Sequence, residues 1–230
     1  MQIVKNWGRS DIVFIDICDM SLFFTQQPRP LLNPPYQAGI YAPFDLRGVE
    51  PNLVSEYLHQ CFSKTGASVL FGGYLEKRRL YQKFNHFEHE SKPVRNVHLG
   101  VDFWTSAGTP VYCPYPGKVH SFDRRTIPGD YGPVIILEHE FGGSRLYTLY
   151  GHLSAKSLIG LDAGLMFSEG EKIADLGEPH ENGGYAPHLH FQLIRDIGNW
   201  SGDYPGVSAH ADLEFYRENC PNPLEFLGYR

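Results

Sequence analysis

The stretch Asn96-Val97-His98-Leu99-Gly100-Val101-Asp102-Phe103 alternates polar or small residues with apolar ones. Because successive side chains of a β-strand point to opposite faces, the pattern predicts a strand with His98 and Asp102 on one face. The apolar residues would then face a core. Gly100 between the two polar residues leaves room for a metal or substrate to approach the backbone.

A second stretch, Pro187-His188-Leu189-His190-Phe191, begins another predicted strand. Its two histidines share one face by the same period of two, and its apolar residues share the other. If the two strands are neighbours in a sheet, the polar groups of both stretches lie over one surface. The sequence therefore predicts a cluster of imidazoles and one carboxylate at that place.

Two imidazoles and a carboxylate can form three corners of a catalytic zinc site, whose fourth position stays open for water. This leaves one further imidazole in the second stretch and His152 in Tyr150-Gly151-His152-Leu153. The chain has no His-Glu-x-x-His motif that would supply a glutamate as the base. A histidine has to take that role, and its ordinary pKa of about 6.5 suits it.

The charge balance argues against a polyanion as the partner. The 230 residues carry a net charge of −6. The basic clusters Lys77-Arg78-Arg79 and Arg124-Arg125 are interpreted as solvated surface patches. No run approaches the roughly 20 apolar residues that span a bilayer. We therefore expect neither nucleic acid nor a membrane as a partner, and protein partners stay open.

The sequence favours a cytoplasmic location, with a non-standard export route left open. The apolar stretch of residues 12–24 is interrupted by Asp16 and Asp19, which a secretory signal would not carry. The cysteines form no Cys-x-x-Cys pair and are predicted to be reduced, packed thiols. They are Cys18, Cys61, Cys113 and Cys220.

Three parts are predicted along the chain. Residues 1–93 form an N-terminal extension, irregular apart from a possible buried strand within residues 11–24 and an amphipathic helix over Leu53–Phe62. Its role as a lid, an inhibitor or a partner surface is open. Residues 94–198 form the β domain, and residues 199–230 an irregular tail that packs on the core.

The central part reads as short strands separated by turns, which predicts a mainly β fold (α+β overall) with an antiparallel β core. Phe141-Gly142-Gly143 predicts a hairpin between neighbouring strands. Gly108-Thr109-Pro110-Val111 with Gly117-Lys118-Val119 is loosely echoed by Gly170-Glu171-Lys172-Ile173, which hints at an internal duplication. A short helix over Asp212–Asn219 is expected to stop at the prolines that follow.

These motifs together resemble the lysostaphin-type zinc metallopeptidases. The resemblance covers roughly residues 95–195, and its combination of motifs is highly specific. It includes His98-Leu-Gly-Val-Asp102-Phe, Ala107-Gly-Thr-Pro-Val111, Pro116-Gly-Lys-Val119, Leu137-Glu-His139, Tyr147-Thr-Leu-Tyr-Gly-His152-Leu, Gly170-Glu-Lys-Ile173 and Pro187-His-Leu-His-Phe191. It implies an antiparallel β core with a duplicated hybrid motif, and activity on the peptide cross-links of peptidoglycan.

The resemblance also implies residue roles. His98, Asp102 and His190 would bind Zn²⁺. His152 and His188 would share the roles of general base and oxyanion stabilisation, which the sequence does not separate. The family usually has a Ser/Thr-Gly run before Pro-His-Leu-His, where this chain has Gly183-Gly184-Tyr185-Ala186. This departure concerns substrate specificity more than the chemistry.

The flanking segments carry a second resemblance. Phe71-Gly-Gly-Tyr-Leu-Glu-Lys-Arg78, Gly202-Asp-Tyr-Pro-Gly-Val207 and Cys220-Pro-Asn-Pro223 resemble the surroundings of such a domain in bacterial kinase–peptidase–aminotransferase fusion proteins. This resemblance implies a cytoplasmic location and does not indicate a substrate.

The leading hypothesis is a zinc-dependent metallopeptidase or amidohydrolase that cleaves peptidoglycan-like or glycine-containing peptide bonds with metal-activated water. One alternative keeps the site and changes the substrate to the amide or ester of a small cytoplasmic metabolite. Another alternative is a zinc-binding scaffold module that performs no chemistry. Metal binding together with turnover on peptide or metabolite panels distinguishes the three hypotheses.

Overall fold

The computed structural model describes residues 41–43, 46–50, 52–83 and 93–228. The strand predicted within residues 11–24 lies outside these ranges. The strands of the described part are β1 (Tyr41–Pro43), β2 (Val69–Gly72), β3 (Arg95–His98), β4 (Val101–Trp104), β5 (Pro110–Tyr112), β6 (Gly117–Asp123), β7 (Val134–Phe141), β8 (Ser144–Gly151), β9 (Met166–Phe167), β10 (Lys172–Asp175), β11 (His188–Ile194) and β12 (Val207–Ala209).

Eight strands form the central sheet, in the order β1-β2-β4-β11-β8-β7-β6-β9. All neighbouring pairs in it are antiparallel except β1 with β2. Two further antiparallel pairs, β5 with β10 and β3 with β12, form small separate sheets. The predicted mainly β fold with an antiparallel core is confirmed, whereas the internal duplication stays a prediction.

The helices lie outside the central part of the sequence. They are α1 (Val54–Thr65), α2 (Leu213–Asn219) and α3 (Pro223–Leu227), with single 3₁₀ turns at Leu80–Lys83, Ala155–Leu158 and His210–Asp212. The predicted helix of the extension is confirmed as α1, which buries Val54 and Leu58 and ends at Gly66 with φ of 65°. Only glycine adopts this left-handed conformation without a steric cost.

Apolar side chains cover both faces of the central sheet. On β11, Leu189, Phe191 and Leu193 pack into the larger core cluster. On the opposite face, Ile194 packs into a second cluster with side chains of β7 and β8. The alternation predicted for β11 is therefore present, and its histidines lie on the face of the second cluster, at the end where that cluster stops.

The first stretch is two strands rather than the single strand predicted. β3 ends at His98 and pairs with β12, whereas β4 begins at Val101 and pairs with β2 and β11. Leu99, in the break, packs into the second cluster, while Val101 packs into the first. The chain changes partners at this point because each half has its own neighbouring strand, a tertiary effect that local alternation does not reveal.

The hairpin predicted at Phe141-Gly-Gly143 is confirmed as the connection of β7 to β8. Gly142 and Gly143 both have positive φ, of 55° and 86°, as a tight two-residue turn requires. His139 on β7 is fully buried and bonds to the Pro116 carbonyl at 2.9 Å and to Thr148 Oγ1 at 2.7 Å. This imidazole ties β8 to the turn that precedes β6.

The segments on either side of the central part are built into its core. β2 pairs with β4, so residues before 94 supply strands to the central sheet. At the other end, Pro223 starts α3 instead of ending a helix, because proline fits the first helical turn and Asn222 caps it by accepting from Leu224 N at 3.1 Å. Phe226 and Leu227 then pack into the larger core cluster.

Candidate metal centre and active site

Three buried donor groups meet at the end of the β4–β11 pair. His190 lies directly opposite Asp102 in the register of these strands, and His98 ends β3 next to them. His98 Nε2 is 2.8 Å from His190 Nδ1 and 3.3 Å from Asp102 Oδ1, and His190 Nδ1 is 3.2 Å from Asp102 Oδ1. Ligands about 2.0–2.2 Å from a tetrahedral Zn²⁺ lie roughly 3.3–3.6 Å apart, so the two distances to Asp102 Oδ1 are close to those of a zinc site, and the distance between the two nitrogens is shorter.

Hydrogen bonds decide which nitrogen of each imidazole faces this point. His98 Nδ1 donates to the Gly73 carbonyl at 2.9 Å, which leaves Nε2 without a proton in the neutral ring. His190 Nε2 donates to Gln192 Oε1 at 3.0 Å, and the Gln192 amide is itself oriented by donating to the Pro205 carbonyl. His190 Nδ1 is therefore bare as well, and three lone pairs face one another with no proton between them.

This convergence is the observation that fits a cation. Two bare nitrogens at 2.8 Å beside a carboxylate oxygen repel one another unless a positive charge lies between them. Burial, and then the charge of Arg78, lower the pKa of His98 to about 4. Burial would raise the pKa of Asp102, but His98 and Arg78 hold it well below its usual value. His98 and Asp102 are thus in the unprotonated forms that a metal requires.

Two further imidazoles lie beside the three donors. His188 Nε2 is 3.8 Å from Asp102 Oδ1, and the ring centroids of His152 and His188 are 4.2 Å apart. Their Nδ1 atoms donate at 2.7 Å to the carbonyls of Asn182 and Ala186 respectively. Burial lowers the pKa of both, so both rings are neutral at pH 7 and present a bare Nε2 as a proton acceptor.

The backbone at His152 is in an unusual conformation. Its φ is 63°, a left-handed value that a non-glycine residue rarely adopts. Hydrogen bonds on both sides hold it there: His152 N donates to the Tyr131 carbonyl, and the His152 carbonyl accepts from Gly177 N. A strained residue lowers stability and persists only where the surrounding structure holds it in place. Such residues concentrate at functional sites.

One cavity of about 300 Å³ is lined by all five of these side chains. Val54, Leu80 and Tyr81 line it from the N-terminal segment. Tyr185 and Ala186, from the loop that departs from the family pattern, line it as well. The cavity therefore offers room for a small group next to the donors, between apolar and aromatic walls.

The structure brings together every site residue that the sequence predicted. It also shows contacts that the sequence did not indicate, above all at Arg78, which was wrongly interpreted as part of a solvated patch. Arg78 is 3% exposed, and its Nη1 lies 2.5 Å from Asp102 Oδ2. The extended backbone alternates, so that Lys77 and Arg79 face solvent while Arg78 points inward. The sequence did contain one signal of a buried Arg78. Glu76 lies two residues earlier, so on an extended chain the acidic and the basic side chain share one face.

The chain matches the family described as peptidase family M23 over residues 96–201. This part of the chain is a peptidase family M23 domain. The M23 domain contains all five converging side chains, since the most N-terminal is His98 and the most C-terminal is His190.

The chain is similar to several known proteins. It is 40% identical over 115 residues to an uncharacterized metalloprotease of Haemophilus influenzae, covering 49% of this chain and 22% of that protein. It is 34% identical over 111 residues to the peptidoglycan DD-endopeptidase ShyB of Vibrio cholerae, covering 47% of this chain and 24% of that protein. The alignments thus span only about a quarter of the length of these curated relatives.

Among solved structures, the catalytic domain of the antimicrobial peptidase lysostaphin from Staphylococcus simulans matches with 27% identity and a TM-score of 0.38, covering 53% of this chain and 80% of that one.

In the described part of this chain, every helix is too short or too polar to cross a membrane.

Proposed function

We propose that this protein is a zinc-dependent peptidase whose metal is held by His98, Asp102 and His190. The observation that carries the proposal is the convergence of three unprotonated donor atoms within 3.3 Å of one another. Two neutral imidazoles lie beside them in the same cavity. The relatives described as a metalloprotease and a DD-endopeptidase support hydrolysis of peptide or amide bonds.

Zinc, when bound, lowers the pKa of a water molecule towards 7 and polarises a carbonyl group. The chain itself supplies the proton transfers. Nε2 of His152 or His188 accepts a proton from the attacking water, and the resulting imidazolium can donate it to the departing amine. The other ring donates to the oxygen of the former carbonyl after its Nε2 has taken up a proton from solvent.

The substrate that we propose is a peptide of the peptidoglycan type or a glycine-containing peptide. ShyB is described as a peptidoglycan DD-endopeptidase and is 34% identical over the aligned region, which supports this choice. Tyr185 and Ala186 line the cavity and belong to the segment where the family usually has a Ser/Thr-Gly run. We expect this loop to change which side chain is accepted next to the scissile bond.

The test is turnover by the full-length protein, with and without added Zn²⁺ and a chelator, on peptidoglycan cross-link peptides and on glycine-rich peptides. We expect cleavage that stops with the chelator and returns with Zn²⁺. Stoichiometric zinc binding without turnover of these peptides or of small amides and esters would contradict catalysis and favour a non-catalytic scaffold.

A second candidate is hydrolysis of the amide or ester of a small metabolite in the cytoplasm. It is favoured by the cavity, whose volume of about 300 Å³ is at the lower end of ligand pockets and which residues from the N-terminal segment help to line. Among the described residues, Cys61, Cys113 and Cys220 are free thiols, as the sequence predicted. Zinc-dependent turnover of a panel of small amides and esters, without turnover of wall peptides, would select this candidate.

A further inference from the structure

Arg78 lies outside the M23 domain, yet its guanidinium group is buried against a ligand of the proposed metal. Nη1 lies 2.5 Å from Oδ2 of Asp102, and both side chains are 2% exposed. Because Oδ2 is engaged by Arg78, the other oxygen, Oδ1, is the one that faces His98 Nε2 and His190 Nδ1 at 3.3 and 3.2 Å.

The guanidinium group is itself fixed in place. Its Nε forms an ion pair with Glu76 Oε2, while Glu76 Oε1 accepts a hydrogen bond from Leu46 N at 2.6 Å. Its carbon Cζ lies 5.5 Å from the centroid of the Trp104 ring. The other side of the arrangement is closed by Gly73, where any Cβ would lie 1.9 Å from Arg78 Nη2. Arg78 therefore has little freedom to move away from Asp102.

Trp104 extends this arrangement to the second group of histidines. Its ring stacks on His188 with centroids 5.6 Å apart and an interplanar angle of 23°. The Gly73 carbonyl accepts from His98 Nδ1, so the segment that carries Arg78 also orients a second ligand. Residues 73–78 thus contact two of the three proposed ligands directly.

A role in stability alone explains this arrangement poorly. Buried ion pairs contribute little net stability, because removing two charges from water costs about as much as their attraction returns. Arg78 Nη2 is buried and has no hydrogen-bond partner within the part of the chain that is described, which is a further cost. The guanidinium instead divides its donors between two carboxylates, with Nε on Glu76 and Nη1 on Asp102, and this arrangement fixes the direction of the Asp102 carboxylate.

We propose that Arg78 is a positioning residue of the metal site: it holds Oδ2 of Asp102, so that Oδ1 is presented to the ion together with the two imidazole nitrogens. The inference rests on the proposed metal site. Removing a group that hydrogen-bonds to a metal ligand typically weakens metal affinity about 10–100-fold.

The test measures zinc affinity of the full-length protein by competition with a chromophoric chelator. For Arg78→Gln we expect zinc affinity about 10–100-fold weaker and an altered visible absorption of bound Co²⁺. Arg78→Lys keeps the charge and one donor and should recover part of the affinity. Arg79→Gln is the matched control, since Arg79 is exposed and pairs with Glu50. It should behave as the wild type.

If Arg78→Gln does not fold, the double variant Glu76→Gln/Arg78→Gln removes both charges of the pair and takes its place. Zinc affinity equal to or tighter than that of the wild type, with an unchanged Co²⁺ spectrum, overturns the positioning role. The failure of the wild type to bind zinc stoichiometrically would instead overturn the proposed metal site itself. The two failures are therefore distinguishable in one set of titrations.

Discussion

Each imidazole at the site has one nitrogen bonded to a neighbour, and this bond decides which nitrogen faces the cavity. The carbonyls of Gly73, Asn182 and Ala186 accept from three of the rings, and Gln192 accepts from the fourth. Since a carbonyl oxygen can only accept, the tautomer of each ring follows from its partner. The chemistry of the site is thus set by backbone groups as much as by the histidines.

Mutation should separate the role of His152 and His188 in turnover from the role of the proposed ligands in zinc binding. In His188→Ala and in His152→Ala, we expect turnover to fall about 10²–10⁴-fold, because a proton acceptor is lost. Zinc should stay bound in both variants, since the three ligands are unchanged, whereas His98→Ala should lose both zinc and turnover.

The control is His59→Ala, which removes an exposed imidazole of α1 and should change neither quantity. Full turnover in both His152→Ala and His188→Ala would rule out the proton-transfer roles. Metal content of the purified variants, measured together with peptide hydrolysis, gives both readouts from one preparation.

The strand period predicted that His98, Asp102, His188 and His190 lie over one surface, whereas the roles of all five residues, His152 included, came from the resemblance of the motifs to a known family. Sequence reasoning missed Gly73 and Arg78, since their contacts with His98 and Asp102 join segments that are far apart in the chain. It also placed His98 and Asp102 on one strand, whereas the chain breaks between them. The side chains still meet, because β3 ends and β4 begins at the same site.

At the scale of elements, short pieces of structure owe their stability to single polar contacts. α3 has five residues and brings Phe226 and Leu227 into the core, and Asn222 caps its first turn. Helices of this length are not stable alone, so the cap and the packing support each other.

Removing the cap should therefore be measurable. We expect Asn222→Ala to lower the free energy of unfolding by about 1 kcal/mol, the typical value of an N-cap side chain. Chemical denaturation detects such a change. Asn199→Ala serves as the control because Asn199 is exposed, and an equal loss in both variants would show that the cap contributes nothing specific.

The hairpin of β7 and β8 should make stability depend on pH through His139. Burial lowers the pKa of His139 to about 4, against about 6.5 in the unfolded chain. Between these two pH values the unfolded state binds more protons than the folded state. The contribution of neutral His139 to the free energy of unfolding is therefore fully present above pH 6.5 and is lost as the pH falls towards 4.

His139→Gln removes this titration. At pH 7 the variant should be less stable than the wild type, because the buried contacts with Pro116 and Thr148 are altered. As the pH falls from 7 to 4.5, the difference in melting temperature should shrink. A difference that stays constant over this range would mean that folding does not lower the pKa of His139. Metal-free protein should be used, so that zinc release does not contribute.

At the scale of the whole molecule, the metal site depends on segments outside the matched residues 96–201. His98 and Asp102 are held by Gly73 and Arg78, and His190 is held through Gln192 by the Pro205 carbonyl and Cys220 Sγ. The supporting residues Gly73, Arg78, Pro205 and Cys220 all lie in the flanking segments, outside the predicted β domain of residues 94–198. The division at residues 93 and 198 stays a prediction. Strand pairing and side-chain contacts connect the parts on either side of both boundaries.

A truncated protein of residues 96–201 should therefore fail as an isolated unit. It lacks β2, Arg78, α3 and the core side chains Phe226 and Leu227, so we expect it to be poorly folded and to bind zinc weakly or not at all. A fragment of residues 46–228 should bind zinc as the full chain does. Circular dichroism and zinc titration of both fragments check this, and tight zinc binding by the shorter fragment would contradict it.

The left-handed backbone at His152 has a consequence for attempts to make the protein more robust. Glycine or asparagine adopts such a φ at a conformational cost lower by about 1 kcal/mol or more than that of the histidine at this position. Selection for thermal resistance alone would thus tend to favour replacements at this position that abolish proton transfer. Directed evolution of this protein should hold that codon fixed or screen for turnover in every round.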